Sequence, residues 1–174
     1  MLSQLPNLCL RAVLSHLCVE DVLAVRAACR ELCVQTSALR WLRGRAKTRH
    51  SFDALVRCAD VMRHLHTLDI SCCREIRDVS ALRGIHTLNM SWCTVIADVS
   101  ALAGIHTLHM NGCLRVSDVS ALAGIHTLAV TQCTCISDLS ALVGGLRKLY
   151  ITSRQRSLLG LDALRKAGCD VRVQ

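Results

Sequence analysis

Four consecutive blocks of twenty residues repeat without a gap between residues 65 and 144, and this periodicity limits the possible folds more than any other feature. The blocks read LHTLDISCCREIRDVSALRG, IHTLNMSWCTVIADVSALAG, IHTLHMNGCLRVSDVSALAG and IHTLAVTQCTCISDLSALVG, and a degenerate fifth block begins at Leu146. Self-similarity at a period of this length is typical of proteins that stack one small structural unit many times.

Each block predicts a short strand followed by one helical turn. In the first block Leu68 and Ile70 alternate with polar residues, while Val79 and Leu82 lie three residues apart. One such unit cannot bury its apolar side alone, but units stacked about 4.8 Å apart can. We therefore expect an α/β fold with a parallel sheet on one face and short 3₁₀ or α-helical turns on the other.

The blocks resemble leucine-rich repeats, whose signature is L-x-x-L-x-L-x-x-N/C. Residues 85–93, Ile-His-Thr-Leu-Asn-Met-Ser-Trp-Cys, follow that signature position by position, and the resemblance covers about residues 65–151. It implies a leucine-rich-repeat solenoid over residues 65–156. It also implies that the cysteine at the N/C position points inward and bonds backbone groups of the turn. The cysteines at this position are Cys73, Cys93, Cys113 and Cys133.

The repeated cysteines and acidic residues also have a chemical interpretation. A cysteine ladder could bind metal or act in redox chemistry, but layers about 4.8 Å apart do not converge on one tetrahedral point. An aspartate before each V/L-S-A-L turn could belong to a carboxylate array, yet a short acidic side chain there also suits capping of free N–H groups. We expect structural roles for both sets, and left-handed residues at the glycine that closes each block. These aspartates and glycines are Asp78, Asp98, Asp118, Asp138, Gly84, Gly104, Gly124 and Gly144.

A histidine occupies the second position of every block. Stacked imidazoles could bind a metal or titrate near neutral pH. The alternative is that they line the loop entering each strand and bond neighbouring backbone. If the ladder is compact, protonation is expected to loosen it through repulsion between like charges. These residues are His66, His86, His106 and His126.

Strand positions that differ between blocks are candidates for recognition, because positions that must pack are uniform. Trp92 is a large side chain among small ones and a candidate anchor, although it could instead cover a neighbouring layer. Five layers give a face about 20–25 Å long, which suits a peptide or one patch of a protein. The predicted substrate-binding residues are Asp69, Asn89, Ser91, Trp92, His109, Asn111 and Gln132, and a plain threonine ladder is expected at Thr67, Thr87, Thr107 and Thr127.

Residues 1–46 lack the repeat and predict a module of three short helices. The first helix follows Leu5-Pro6, the second begins at Glu20-Asp21, and the third contains Trp41. The segment resembles an F-box, whose pattern is roughly L-P-x-x-x-L-x-x-I-L-x-x-L-x-x-x-D-L-L-x-x-x-x-V-C-R-x-W. Matching residues fall in register without gaps at Leu5, Pro6, Leu10, Leu14, Leu17, Asp21, Leu23, Cys29 and Arg30.

The F-box resemblance implies a non-enzymatic adaptor of an SCF (cullin–RING) ubiquitin ligase. The module would dock on the Skp-type adaptor, which links it to the cullin, while the repeats hold a protein substrate. Ala28 and Leu32 depart from the F-box pattern, so a protein-interaction scaffold without a ligase role remains the alternative. The residues implied to contact the Skp-type adaptor are Leu5, Pro6, Leu10, Val13, Leu14 and Leu17.

Composition bears on the other functional classes. An apolar content of 52% excludes wholesale disorder, and 2% aromatic residues provide no stacking platform for nucleic acid despite the net charge of +8. The chain lacks a signal-peptide pattern and a membrane-length apolar run, so we expect an intracellular protein, cytoplasmic or nuclear, with reduced cysteines and no membrane contact. It lacks a phosphate loop, a nucleophile elbow and a convergent Cys/His set, so we expect no catalytic residue, metal or cofactor.

Two segments flank the repeats. Residues 47–64 predict a linker and an N-terminal capping helix, and the basic stretch 43–50 is interpreted as a solvated linker or exposed helix end rather than a nuclear signal. Residues 157–174 predict a C-terminal cap, with an amphipathic helix over Ser157–Ala167 and a last strand over Cys169–Val173. These caps are expected to close the repeat stack and complete the chain.

Overall fold

The computed structural model of the 174-residue chain describes the backbone of Arg43–Arg45 together with residues 66–174. The predicted helical module, apart from its last residues, and the predicted N-terminal capping helix lie outside the described residues. The account that follows concerns the described part of the chain.

The described strands form one seven-stranded parallel sheet in which every strand pairs with its neighbours in sequence. The predicted parallel sheet is thus confirmed. Its registers place equivalent residues of successive blocks side by side, so the threonine ladder from Thr67 to Thr127 is confirmed as well. In chain order the strands are β1 (Arg43–Arg45), β2 (Thr67–Asp69), β3 (Thr87–Asn89), β4 (Thr107–His109), β5 (Thr127–Ala129), β6 (Lys148–Ile151) and β7 (Asp170–Val173).

The second half of each block forms a 3₁₀ turn, as the three-residue spacing predicts. In the first turn the backbone N–H of Leu82 donates to the carbonyl of Val79 at 2.9 Å. The glycine that closes each block is left-handed, with φ from 82° to 101°, which confirms that expectation. The 3₁₀ turns are Ser80–Leu82, Ser100–Leu102, Ser120–Leu122, Ser140–Leu142 and Ser153–Gln155.

The core lies between the sheet and the turns. Aliphatic side chains of similar size stack in rows, so each layer buries the same kind of surface against the next. Every member of the two inward rows of the sheet from β2 to β6 has an exposed fraction of 0%. The rows consist of Leu68, Leu88, Leu108, Leu128 and Leu149, and of Ile70, Met90, Met110, Val130 and Ile151.

Strand β1 was not predicted. The interpretation of the basic stretch as a solvated linker or helix end is wrong for Arg43–Arg45, which pair in parallel with Thr67–Asp69. The edge of β2 offers unpaired N–H and C=O groups, and an extended segment of any composition can satisfy them. A three-residue Arg-Gly-Arg segment carries no apolar alternation from which a strand could be predicted.

The predicted C-terminal cap is present, but its helix is shorter than expected. Helix α1 spans Leu161–Lys166 and buries Leu161 and Leu164 against the last layer. The preceding Leu159 instead pairs with the backbone of the preceding block. Its N–H donates to the carbonyl of Ser137, and its carbonyl accepts from the N–H of Leu139. Gly160 then turns the chain at φ 82°, where a Cβ would lie 2.6 Å from the backbone nitrogen of Ser140.

Candidate recognition surface

The outward side of the sheet brings three of the predicted substrate-binding residues into one row. Asp69, Asn89 and His109 occupy equivalent positions on β2, β3 and β4, and the pairing places them next to one another. All three side chains are half-buried. We call the predicted set of Asp69, Asn89, Ser91, Trp92, His109, Asn111 and Gln132 the recognition surface.

Several polar groups of the recognition surface are held by bonds to backbone. The carboxylate of Asp69 accepts from the N–H of Ser71 at 2.8 Å, and the amide oxygen of Asn89 accepts from the N–H of Ser91 at 3.1 Å. Asn111 differs, because its oxygen accepts from the N–H of Thr131 in the next block at 3.0 Å. These bonds fix the orientation of the side chains, so less conformational entropy is lost when a partner binds.

His109 lies at the β4 end of this row of three. Burial lowers the pKa of its imidazole, and the nearby carboxylate of Asp69 opposes part of that shift. The ring is therefore neutral at pH 7, and a neutral imidazole offers one donor and one acceptor nitrogen.

Trp92 covers the neighbouring layer, which confirms one interpretation of its role, while its role as an anchor stays a prediction. Its ring lies across Gly112 in the next block, so closely that a Cβ on Gly112 would approach the ring to 2.7 Å. The residue is nevertheless 44% exposed. The indole is therefore supported by the neighbouring layer while part of the residue stays exposed to solvent.

The turn that carries Trp92 has a backbone geometry that sequence reasoning missed. Cys72, Trp92, Gly112 and Gln132 occupy the same position in successive blocks, and all are left-handed with φ between 63° and 68°. Only the glycine signals this conformation, which costs other residues about 1–2 kcal/mol. Backbone bonds between layers hold the turn, including Trp92 N–H to Asn111 O at 2.7 Å.

The row also extends beyond the predicted residues. Register continues it through Ala129 to Tyr150 and Arg172, which lie outside the four gapless blocks. The guanidinium of Arg172 lies 5.9 Å from the centre of the Tyr150 ring. Aligning Leu149 with Leu128 would have placed Tyr150 in this row from the sequence.

A groove adjoins the recognition surface beside Gln132. It has a volume of about 520 Å³ and contains one exposed apolar side chain, Leu114, and one cation, Arg154. Its remaining lining is uncharged and polar: Gln132, Thr134, Thr152, Ser153, Gln155 and Gln174.

The histidines form the compact ladder that the sequence allowed. Successive ring centres lie 4.2, 4.4 and 4.5 Å apart, with ring planes inclined by 12–21°. Each Nδ1 lies 3.1–3.4 Å from the hydroxyl of the following threonine, and the alternative that the rings bond neighbouring backbone stays a prediction. Burial, followed by the charges of His66 and His106, lowers the pKa of His86.

The repeated cysteines take the inward position that the resemblance implies. The thiols of Cys93, Cys113 and Cys133 donate to carbonyls of the preceding block at 3.0, 3.2 and 2.9 Å. Burial raises the pKa of Cys93 and Cys113 to about 12 and that of Cys133 to about 11. These thiols therefore stay protonated and act as hydrogen-bond donors.

The repeated aspartates cap the 3₁₀ turns, as expected. Each accepts from the backbone N–H of the serine two residues later at 2.7–2.8 Å. That bond is the main reason why the pKa values of Asp98 and Asp118 are lowered. For Asp138 the serine hydroxyl contributes most.

The described residues contain neither a candidate metal cluster nor a candidate membrane-spanning helix. Within residues 66–174 no group of three or more His, Cys, Asp or Glu side chains could hold a metal ion. The described helices include none whose length and apolarity would let it cross a membrane. Across the whole chain, no protein-family model matches, and no curated protein matches the sequence significantly.

Proposed function

We propose that this protein is a substrate-recognition adaptor of an SCF ubiquitin ligase and contributes proximity rather than bond chemistry. In this proposal residues 1–46 are an F-box-like module and residues 65–156 are leucine-rich repeats that bind a protein substrate inside the cell, with no cofactor. The support for the repeats is the regular stack of strands and 3₁₀ turns. The support for the module is the register of its apolar residues with the F-box pattern.

Substrate binding is inferred mainly from the packing and exposure of Trp92. The ring is supported from below by Gly112 and remains 44% exposed, which is the combination expected of an interface anchor. Oriented polar groups of Asn89 and Asn111 flank it on the recognition surface. An extended peptide would find one apolar anchor and several fixed hydrogen-bonding groups within about 20 Å.

Ligase docking is proposed for the apolar residues at the start of the chain. A Skp-type adaptor would cover Leu5, Pro6, Leu10, Val13, Leu14 and Leu17, which have helical spacing. The last residues of the same module include Arg43–Arg45, which form β1 and pair with Thr67–Asp69 of the first repeat. The end of the docking module would then lie directly beside the repeats.

Co-purification of the full chain with a Skp-type adaptor and cullin tests this proposal. We expect stoichiometric recovery that is lost in a Leu10→Asp/Leu14→Asp double variant and retained in Trp92→Ala. Conversely, Trp92→Ala should weaken capture of substrate by the intact adaptor complex. If the folded wild-type chain recovers no adaptor, the ligase role is wrong. A scaffold without ligase activity, which the departures at Ala28 and Leu32 favour, would then be the better account.

A further inference from the structure

The last strand of the sheet has one unpaired edge among the described residues. β7 pairs with β6 on one side, where the N–H groups of Asp170 and Gln174 donate to Arg147 O and Ile151 O at 2.8 and 2.9 Å. Because backbone groups alternate in direction along a strand, those of Val171 and Val173 point away from β6. Such an edge is a template for another strand.

The apolar rows of the core are also incomplete at this end. One inward row, fully buried through Ile151, continues to Val173, which is 38% exposed. Leu159, in the last layer of turns, is 64% exposed. Helix α1 buries Leu161 and Leu164 over the turns, but one further strand would be needed to cover Val173 in the same way.

The charged residues of β7 favour one particular partner strand and register at its free edge. Asp170 and Arg172 flank Val171 and both lie on the outward face of the sheet, in the rows of Lys148 and Tyr150. An antiparallel copy of β7 centred on Val171 would place each Asp170 opposite the partner's Arg172. Such opposite charges attract across a non-hydrogen-bonded pair, where side chains are closest. Centring the pair on Arg172 would instead oppose two arginines.

The ion pair that Asp170 and Arg172 form within one strand does not prevent them from pairing with a second chain. Arg172 Nε lies 2.9 Å from the Asp170 carboxylate of the same strand, and the two side chains are 56% and 51% exposed. Exposed ion pairs of this kind contribute little stability, so the carboxylate can accept from a neighbouring chain at little cost.

We propose that the edge of β7 pairs antiparallel with β7 of a second copy of this chain, with Val171 opposite the partner's Val171. The two sheets become one continuous fourteen-stranded sheet related by a twofold axis. The central valine pair exchanges two backbone hydrogen bonds, and two Asp–Arg pairs fix the register. This inference depends only on the described residues and is independent of the ligase proposal.

Sedimentation velocity and light scattering of the full chain test the pairing, at concentrations up to about 0.5 mM because a contact this small belongs to the weak class. We expect a concentration-dependent dimer. Asp170→Arg and Arg172→Asp should each raise the dissociation constant about tenfold or more, since each opposes like charges twice. An equimolar mixture of the two variants should recover a 1:1 heterodimer. Residues 170–172 are then Arg-Val-Arg in one chain and Asp-Val-Asp in the other, so every charge faces its opposite.

Two further variants separate pairing from folding and from net charge. Arg165→Asp on α1 makes the same charge change and breaks a similar exposed ion pair, with Asp162 at 3.4 Å, so its dimer should be unaffected. Val171→Pro removes an N–H that β6 does not use, so the fold should remain while the dimer is lost. A wild-type chain that stays monomeric, single variants that still dimerise, or a mixture that does not associate would each overturn the inference.

Discussion

At the scale of single residues, polar side chains of the blocks satisfy backbone groups and thereby hold the turns in place. The thiol of Cys113 donates to Met90 O, which also accepts the N–H of Cys93. One carbonyl thus receives one donor from its own block and one from the block that follows it. A buried carbonyl with two lone pairs can accept both, and the repeated thiols add bonds between layers without any metal or disulfide.

Gly112 provides the sharpest test of the Trp92 arrangement. We expect Gly112→Ala to destabilise the fold by about 1 kcal/mol, because its φ of 68° is left-handed. The new methyl group should also displace the indole, which a Cβ would approach to 2.7 Å. Denaturant unfolding measures the first effect, and tryptophan fluorescence and near-UV circular dichroism measure the second.

Gly144→Ala is the matched control for this substitution. Gly144 has a φ of 101°, yet a Cβ there would meet no heavy atom within 4 Å. It should therefore cost similar stability while leaving the tryptophan spectrum unchanged. An unaltered spectrum in Gly112→Ala would show that the ring does not depend on this contact. Substrate capture by Gly112→Ala should fall if the supported ring is the anchor.

At the scale of elements, prediction succeeded where the chain repeats itself, and its errors among the described residues lie outside the repeats. Leu68 and its equivalents identified the strands, and the pairs like Val79 and Leu82 identified the turns, because four copies of one pattern reinforce each other. β1 was missed because its pairing depends on the free edge of β2 rather than on its own residues. The start of α1 was misplaced because Leu159 bonds to the preceding layer instead of entering the helix.

The candidate site was predictable only in part, for a similar reason. Alternation along the strands placed Asp69, Asn89 and His109 on the outward face, where the structure has them. The left-handed turn at Trp92 and the contact of its ring with Gly112 depend on the stacking of layers. Local sequence carries no signal for contacts between layers except the glycine itself.

His86 in the histidine ladder, together with His109, predicts a loss of stability in mild acid. Burial lowers the pKa of both His86 and His109, so the folded chain binds fewer protons than the unfolded chain. Their contribution is therefore present above the unfolded pKa of about 6.5 and is lost as the pH falls through the folded values. We expect a lower melting temperature at about pH 5.5 than at about pH 8.

A His86→Gln/His109→Gln double variant controls for other titrations. Its melting temperature should change less over this interval, because the two groups responsible are absent. The carboxylates of Asp98, Asp118 and Asp138 do not interfere, since their lowered pKa values confine their effect to more acidic solutions, below about pH 4. A melting temperature that is equal at both pH values would remove the proposed sensitivity.

At the scale of the whole molecule, the described chain is a one-dimensional stack. Each strand pairs only with the strands before and after it in sequence, so β4 lies in the middle while β7 lies at one end. In such an array, stability is nearly a sum of the stabilities of single layers and of the contacts between neighbouring layers. A defect at the end should therefore open the end first, whereas a defect in the middle should weaken the whole.

Two leucine truncations of equal size distinguish these cases. Leu164 in α1 and Leu108 in β4 are both fully buried, and their replacement by alanine should cost about 2–5 kcal/mol each. Leu164→Ala should release β7 and β6 to hydrogen exchange while the amides of β3 and β4 keep their protection. Leu108→Ala should lower protection throughout the sheet, because it removes the contact that joins the two halves. If Leu164→Ala lowered protection uniformly, the stack would have to unfold as one cooperative unit, and α1 would stabilise distant layers as strongly as the layer it covers.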